Sequence, residues 1–245
     1  MSKDIYHGFA DRYDWMRSEN PERMAFFRQL FINYNVTRLL DCACGTGQDL
    51  IMFHKIGLSV QGSDLSEAML TQTRRNLERA GVDIPFIQAD FRELADHFKE
   101  PFQAVVCLSN SINEPLEDAE TMQTLQNMHA LLCTGGILVF DQGQTDASMK
   151  NPPPFVPILN NRDHSRLFTI EYSEKIQTVN IFDFSHTEKQ TDFQHTAVKI
   201  RIRLMDSWQK ILREAGFSSV DFFGDWKATP YDKNSAERLI AVAQK

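Results

Sequence analysis

The sequence predicts an α/β fold: a doubly wound, mostly parallel seven-stranded sheet with an antiparallel β insertion towards the C-terminal half. Three observations carry this expectation. Between Thr37 and about Asp141, short apolar runs alternate with longer stretches of helical period. A turn with two glycines, "CACGTGQD", follows the first run. After "NPPPFVP" the pattern changes to long period-two stretches with no crossover helices between them.

In chain order, "TRLLDCA" reads as a buried strand and "GQDLIMFHKIG" as a helix with apolar Leu50, Ile51 and Phe53. "LSVQGSD" is a second strand. "SEAMLTQTRRNLERAG" is a helix with Ser66 as its N-cap and Gly81 just past its end, because a serine hydroxyl satisfies early N–H groups and glycine adopts the left-handed stop. "PFIQAD" and "QAVVCLSN" are strands three and four. The helix "DAETMQTLQNMHALLCTGG" is expected to close at Gly135 and Gly136, ahead of strand five, "ILVFDQ". Continuous apolar strands joined by helices make a parallel sheet covered on both faces. "LFTIEYSE", "KIQTVNIFDFSH" and "FQHTAVKIRIRL" read as an antiparallel meander. "DSWQKILREAGF" restores a helix, and "VDFFGDW" and "RLIAVAQK" supply two closing strands. In the first sixteen residues, "YHGFADRYDWM" predicts an amphipathic helix burying Phe9, Tyr13 and Trp15.

Composition narrows the function. The 245 residues carry a net charge of −7, which argues against nucleic-acid binding, since that requires clustered Lys and Arg to displace counterions. No apolar window is long enough for a signal peptide or a membrane span, so a cytoplasmic protein with no membrane partner is expected. Cys42 and Cys44, spaced C-x-C, and two further cysteines offer neither a disulfide framework nor metal-ligand spacing, so no metal is expected.

The glycine turn lies where α/β sheets bind ligands, beyond the carboxyl ends of the strands. A dinucleotide site needs a third glycine, and Leu50 stands there instead. Asp49 occupies the first helical turn, where a pyrophosphate would want the positive helix end to itself. Asp64, about twenty residues beyond the turn, is placed to accept both ribose hydroxyls; its alternative is an acid at a helix N-terminus. Asp90 can accept from an adenine amino group while Phe91 offers an apolar wall. A ribose and an adenine without a phosphate cradle describe S-adenosylmethionine better than NAD.

These motifs, "LLDCACGTGQD", "GSDLSEAML", "IQADF", "AVVCLSNS" and "CTGGILVFD", resemble class I S-adenosylmethionine-dependent methyltransferases, with their Rossmann-like core, and most of all the glycine and sarcosine N-methyltransferases. The resemblance implies S-adenosylmethionine as cofactor and S-adenosylhomocysteine as product. It divides the chain into an N-terminal helical lid (1–36), the cofactor-binding core (37–150), an antiparallel substrate cap (151–205) and a closing helix and strands (206–245). It places Ala43, Cys44, Gly45 and Gly47 against the methionine part of the cofactor, Asp64 and Leu65 at the ribose, and Asp90 and Phe91 at the adenine. Leu108 and Asn110 would approach the methionyl group. Tyr6 and Trp15 match a lid tyrosine and tryptophan of the same separation, and Arg23, with Arg17 as rival, matches an arginine that pairs with the cofactor carboxylate. Asn110 and Glu114 are the candidates for contact with the methyl acceptor. Asn110 has the alternative of capping loop backbone, and Glu114 of a loop acid.

Two departures bear on the acceptor. The family's histidine after "C-L-x-N-S" falls at Glu114, and its basic "D-H-R-N" reads "DQGQ" here. The expected reaction is therefore methylation of a small amine or amino acid such as glycine or sarcosine, with O- or C-methylation of another small acid as alternatives. An NAD-dependent oxidoreductase and a non-catalytic cofactor binder are the competing classes, and the protein is expected as a monomer or homo-oligomer acting on a small-molecule methyl acceptor. In "HTAVKIRIRL", Lys199, Arg201 and Arg203 share one face, either solvated or gripping a substrate carboxylate; His186 and His195 read as surface residues.

Overall fold

The computed structural model describes residues 4–16, 20–186 and 191–245. Its centre is a seven-stranded sheet built from β1 (Arg38–Asp41), β2 (Ser59–Asp64), β3 (Phe86–Gln88), β4 (Phe102–Cys107), β5 (Leu132–Gln142), β10 (Ser219–Phe223) and β11 (Leu239–Gln244). The spatial order is β10-β11-β5-β4-β1-β2-β3. The five strands from β5 to β3 are mutually parallel, whereas β11 runs antiparallel to both β5 and β10. Strand order reverses at β1, and the crevice there opens beside the glycine turn.

Two-residue alternation along the strands divides the core. Leu39, Val139 and Val242 face one layer, with α1 (Pro21–Asn33), α2 (Gln48–Lys55) and α3 (Glu67–Ala80) packed on it. Leu40, Phe140 and Ala241 face the other, against α4 (Leu94–His97), α5 (Asp118–Leu131) and α6 (Met205–Glu214). Ser66 caps α3 by accepting from the Met69 N–H at 3.1 Å, and Gly81 ends it at φ 66°. Both are as the sequence predicts.

The missing third glycine has a structural answer. In dinucleotide folds that glycine lets helix and strand approach; here Leu50 on α2 packs instead on Gly62 of β2. A Cβ on Gly62 would lie 2.8 Å from Leu50 Cδ1 and 3.2 Å from Cys44 Sγ. Leu50 is fully buried and cannot retreat without moving its neighbours. Gly62→Ala is therefore expected to destabilise the protein by about 1–3 kcal/mol, the usual cost of overpacking. Urea midpoints compare the variant with the parent; an unchanged midpoint refutes the account.

Three local expectations are corrected. α5 ends at Leu131, not at the glycines, and β5 begins at Leu132, so Gly135 and Gly136 lie inside the strand. A Cβ on Gly136 would stand 3.0–3.2 Å from the carbonyl oxygens of Cys133, Phe102 and Gln103, where β4 and β5 shift register. The insertion has four strands rather than three: β6 (Phe155–Asn160), β7 (His164–Tyr172), β8 (Ile176–His186) and β9 (Thr191–Arg201). β6 escapes the sequence pattern because Pro157 interrupts it, and it occupies the sheet edge where proline is tolerated. The amphipathic helix expected near the N-terminus is a 3-10 segment at Ala10–Met16; Phe9 is buried but Trp15 is 38% exposed.

In the charged row of the meander, Arg203 is buried, not solvated. Its guanidinium donates to Asp118 and to the Pro115 carbonyl, and Arg201 also reaches Asp118. His195 is exposed, with its Nε2 3.0 Å from Asn180 Oδ1. Among the described residues, no helix is long and apolar enough to cross a membrane and no cluster of ligands suits a metal ion. Cys42, Cys44 and Cys107 are buried free thiols.

Candidate active site

The carboxyl end of β1 runs straight into the glycine turn. Gly45 and Gly47 have φ of +54° and +79°, and a Cβ on Gly47 would meet Thr73 Cγ2 at 2.8 Å, so α3 fixes the turn from behind. Thr73 Oγ1 donates to the Gly45 carbonyl at 2.6 Å. On the other side, Asp64 at the end of β2 accepts from Gly45 N–H at 2.8 Å and from Ser66 N–H at 2.9 Å. Burial pushes the Asp64 carboxyl above its usual range, while these backbone donors oppose the shift. A carboxylate has about four acceptor sites. Backbone N–H groups engage part of that capacity, and the remainder can accept hydroxyls from a ligand.

Past this turn opens a cleft of about 1420 Å³. Its walls include Ala43, Cys44, Gly45, Asp64 and Leu65 on one side and Asp90, Phe91, Leu108 and Glu114 on the other, under Tyr6. Sites for one small molecule usually span about 300–1,000 Å³, so the space admits a nucleoside-sized cofactor together with a second reactant. Arg92 holds Asp90 through contacts of Nε to both carboxylate oxygens at 3.0 Å, and it also reaches Glu120 at 2.8 Å. Burial works against the Asp90 charge, but the guanidinium prevails and keeps the carboxyl below its usual range. At the opposite end, the Tyr6 hydroxyl donates to Glu114 Oε1 at 3.0 Å. Burial pushes the Glu114 carboxyl up to about 7, helped by the charges of Asp64 and Asp90 and opposed by the Tyr6 hydrogen bond.

The N-terminal segment is pinned over this cleft by two aspartates. Asp4 accepts from Ser66 Oγ at 2.8 Å, at the head of α3. Asp14 accepts from Gln48 and Asn76 side chains at 3.0 and 2.8 Å and from the Thr46 hydroxyl, so one carboxylate joins cover, glycine turn and α3. Sequence reading misses Asp14 and Arg92. Asp14 has partners thirty or more positions away, which no local pattern reveals; Arg92 carries a signal, two residues after Asp90.

Four predicted residues do not reach the cleft wall. Trp15 leans on His164 of β7, ring centroids 3.7 Å apart, on the outer side of the cover. Arg23 is forked onto Asp49, Nη1 and Nη2 at 2.6 and 2.8 Å from its oxygens, and so is engaged by the protein. Its rival Arg17 lies outside the described residues. Gly47 serves the turn's close approach to Thr73. Asn110, left-handed at φ 72°, accepts from the Gly143 N–H at 2.8 Å and thus caps loop backbone, the alternative the sequence left open.

Residues 39–136 match the family described as "Methyltransferase domain". A glycine/sarcosine N-methyltransferase of Halorhodospira halochloris is 26% identical over 253 residues, spanning 100% of this chain and 90% of that protein. The chain is a class I S-adenosylmethionine-dependent methyltransferase. Solved structures share the fold of this methyltransferase over nearly its full length. An S-adenosylmethionine-dependent methyltransferase from Clostridium acetobutylicum superposes with a TM-score of 0.84 at 16% identity, covering 98% of each chain. CalS10, an amino pentose methyltransferase from Micromonospora echinaspora solved with S-adenosylmethionine bound, gives 0.77 at 18% identity and 96% of each chain. The methyltransferase's own residues suit that cofactor. Asp64 has acceptor capacity to offer, and the space in front of Gly45 is open, with nothing within 4 Å of where a Cβ would stand. The glycine turn offers a diphosphate no run of backbone donors free of nearby acids, since Asp49 and Asp64 crowd it.

Proposed function

We propose that the enzyme N-methylates a small amine and that Glu114 receives the proton released. The observation that carries this reading is a half-buried carboxylate on the cleft wall beyond β4 that accepts a hydrogen bond from a hydroxyl of the cover, and whose desolvation raises its pKa toward neutrality. The relative from Halorhodospira halochloris, named for the N-methylation of glycine and sarcosine, supports the same bond type.

In this reading Asp64 accepts the two ribose hydroxyls, Asp90 and Phe91 take the adenine, and Ala43, Cys44, Gly45 and the Leu108 carbonyl surround the amino-acid end. When bound, S-adenosylmethionine supplies a methyl group on a positively charged sulfur. The residues around it must hold the acceptor nitrogen in line with that carbon and exclude water, and such orientation is worth about 7–11 kcal/mol of barrier. The acceptor's lone pair forms the N–C bond while the C–S bond breaks, its electron pair remaining on sulfur. The new methylammonium then loses its proton to a Glu114 oxygen. Tyr6, whose own hydroxyl is held protonated by burial and by Glu114, donates a hydrogen bond to the same carboxylate and fixes its direction.

A base must be unprotonated to act, so kcat/KM is expected to rise with pH through about 7, the value to which Glu114 is pushed. Glu114→Gln is expected to lower kcat/KM by roughly a hundredfold, within the range for a lost general base, and to flatten that limb. An unaltered pH profile in the variant removes Glu114 from this role. Stability carries the opposite sign. A carboxyl whose pKa is raised by folding binds more protons in the native state, so stability falls as pH rises from about 4.5 to about 7. The variant's thermal midpoint should accordingly exceed the parent's at pH 8.

A further inference from the structure

Resting on the N-methylation reading, we infer that the acceptor is an amine carrying no carboxylate near its nitrogen, such as an amino sugar or amino alcohol, rather than a zwitterionic amino acid.

The argument is one of charge matching at the acceptor end. Glu114 offers one negative group beside the acceptor nitrogen, where the methylammonium forms. A zwitterion would also require a cation a few ångströms away, and among the described residues the nearby guanidiniums are already engaged. Arg92 is held by Asp90 and Glu120. Arg12, on the cover, donates to the Gly8 carbonyl and to Gln194. Arg203, beneath the Glu114 loop, is bound to Asp118 and to the Pro115 carbonyl, and Arg238 is paired with Asp141.

The loop after β5 supplies no cation either. β5 ends at Gln142 and the loop continues through Gly143 and Gln144, and both amides donate hydrogen bonds within the protein. Gln142 accepts from Asn113 and Trp208 at 3.0 and 2.8 Å and donates to the carbonyls of Gln144 and Arg203. Gln144 donates to Gln177 at 2.9 Å.

Two basic side chains on the cleft wall have no side-chain partner among the described residues, Arg75 and His7. Arg75 lies on α3, which follows β2, whereas Glu114 follows β4, and β1 with its glycine turn separates those strands. Arg75 thus borders the adenosine side. His7 is exposed to solvent. A carboxylate attached beside the acceptor nitrogen would instead face Glu114, like against like, at a distance where such juxtaposition governs partner choice.

The test compares matched probes with the intact enzyme and S-adenosylmethionine: glycine against glycinamide, alanine against isopropylamine, with ethanolamine and glucosamine as further carboxylate-free amines. Methylated product is read by mass spectrometry. In parallel, thermal shifts are read on the S-adenosylhomocysteine complex, which needs no turnover. The carboxylate-free member of each pair is expected to give a kcat/KM about a hundredfold or more above its zwitterionic partner, the scale of a close like-charge contact, and alone to raise the midpoint of the complex. Glu114→Gln should shrink that ratio about tenfold or more while S-adenosylhomocysteine affinity stays within twofold. Preference for glycine or alanine over its partner overturns the inference and leaves N-methylation standing. Methylation confined to hydroxyl or carboxyl acceptors brings down the N-methylation reading itself. No turnover and no stabilisation by any amine in the set also overturns the inference.

Discussion

Asp64→Ala is expected to weaken S-adenosylhomocysteine binding by roughly a hundredfold or more. The carboxylate is placed to accept two ribose hydroxyls, and each hydrogen bond to a charged group is worth about 1.5–3 kcal/mol. The same substitution frees the Gly45 N–H, now bonded at 2.8 Å, and the Ser66 N–H, at 2.9 Å, so the turn loses a fixed point together with the ligand. Asp64→Asn separates the two effects. It keeps an oxygen for one backbone donor, but its NH₂ group cannot accept a ribose hydroxyl. Calorimetric titration measures the affinity, and circular dichroism shows whether the fold persists. Undiminished binding by a folded Asp64→Ala protein would mean that the ribose lies elsewhere, and the assignment of the cleft's two ends would go with it.

The second large effect lies away from the chemistry. Arg166 and Asp183 stand directly opposite one another on β7 and β8, with Nε–Oδ1 at 2.5 Å and Nη2–Oδ2 at 2.8 Å, and their side chains are 1% and 6% exposed. Phe9 of the cover lies over the guanidinium, 4.4 Å from ring centroid to Cζ. Arg166→Met strands a buried carboxylate, which costs about 3–5 kcal/mol. Removing both charges is a different matter: Arg166 Nη1 is buried without a partner, so the pair is incompletely satisfied as it stands. Arg166→Met combined with Asp183→Leu is expected to recover most of the loss, since buried ion pairs are often replaceable by apolar groups of similar volume. Chemical denaturation of both single variants and of the double variant measures this coupling. Additive losses would show that the two side chains do not depend on each other.

What was legible in the sequence follows the range of the forces involved. The ends of α3 could be read because a serine cap and a left-handed glycine act within a few residues of themselves. The strands of the parallel core could be read because burial on both faces leaves unbroken apolar runs, as in Leu39–Leu40 and Val105–Val106. The cleft acids Asp64 and Asp90 follow from strand ends. The departures arise where partners distant in sequence decide. Arg203 looks like one of a row of solvated cations until Asp118, from another element, turns it inward. Arg23 looks available until Asp49 is found beside it. Gly135 and Gly136 look like a helix stop, but the register shift between β4 and β5 requires them within a strand. β6 was hidden because Pro157 breaks the period-two reading at a position an edge strand tolerates.

The carboxylate of Asp14 reaches both Thr46 in the glycine turn and Asn76 on α3, while Asp4 holds the head of α3. The strap that shuts the cleft is thereby fastened to the same turn that would grip the cofactor. A cofactor that entered beneath the strap would have to unfasten it, and so would departing product. Stiffening that latch would slow exchange without touching the reacting atoms, and the turnover number would become a measure of how fast the strap lifts.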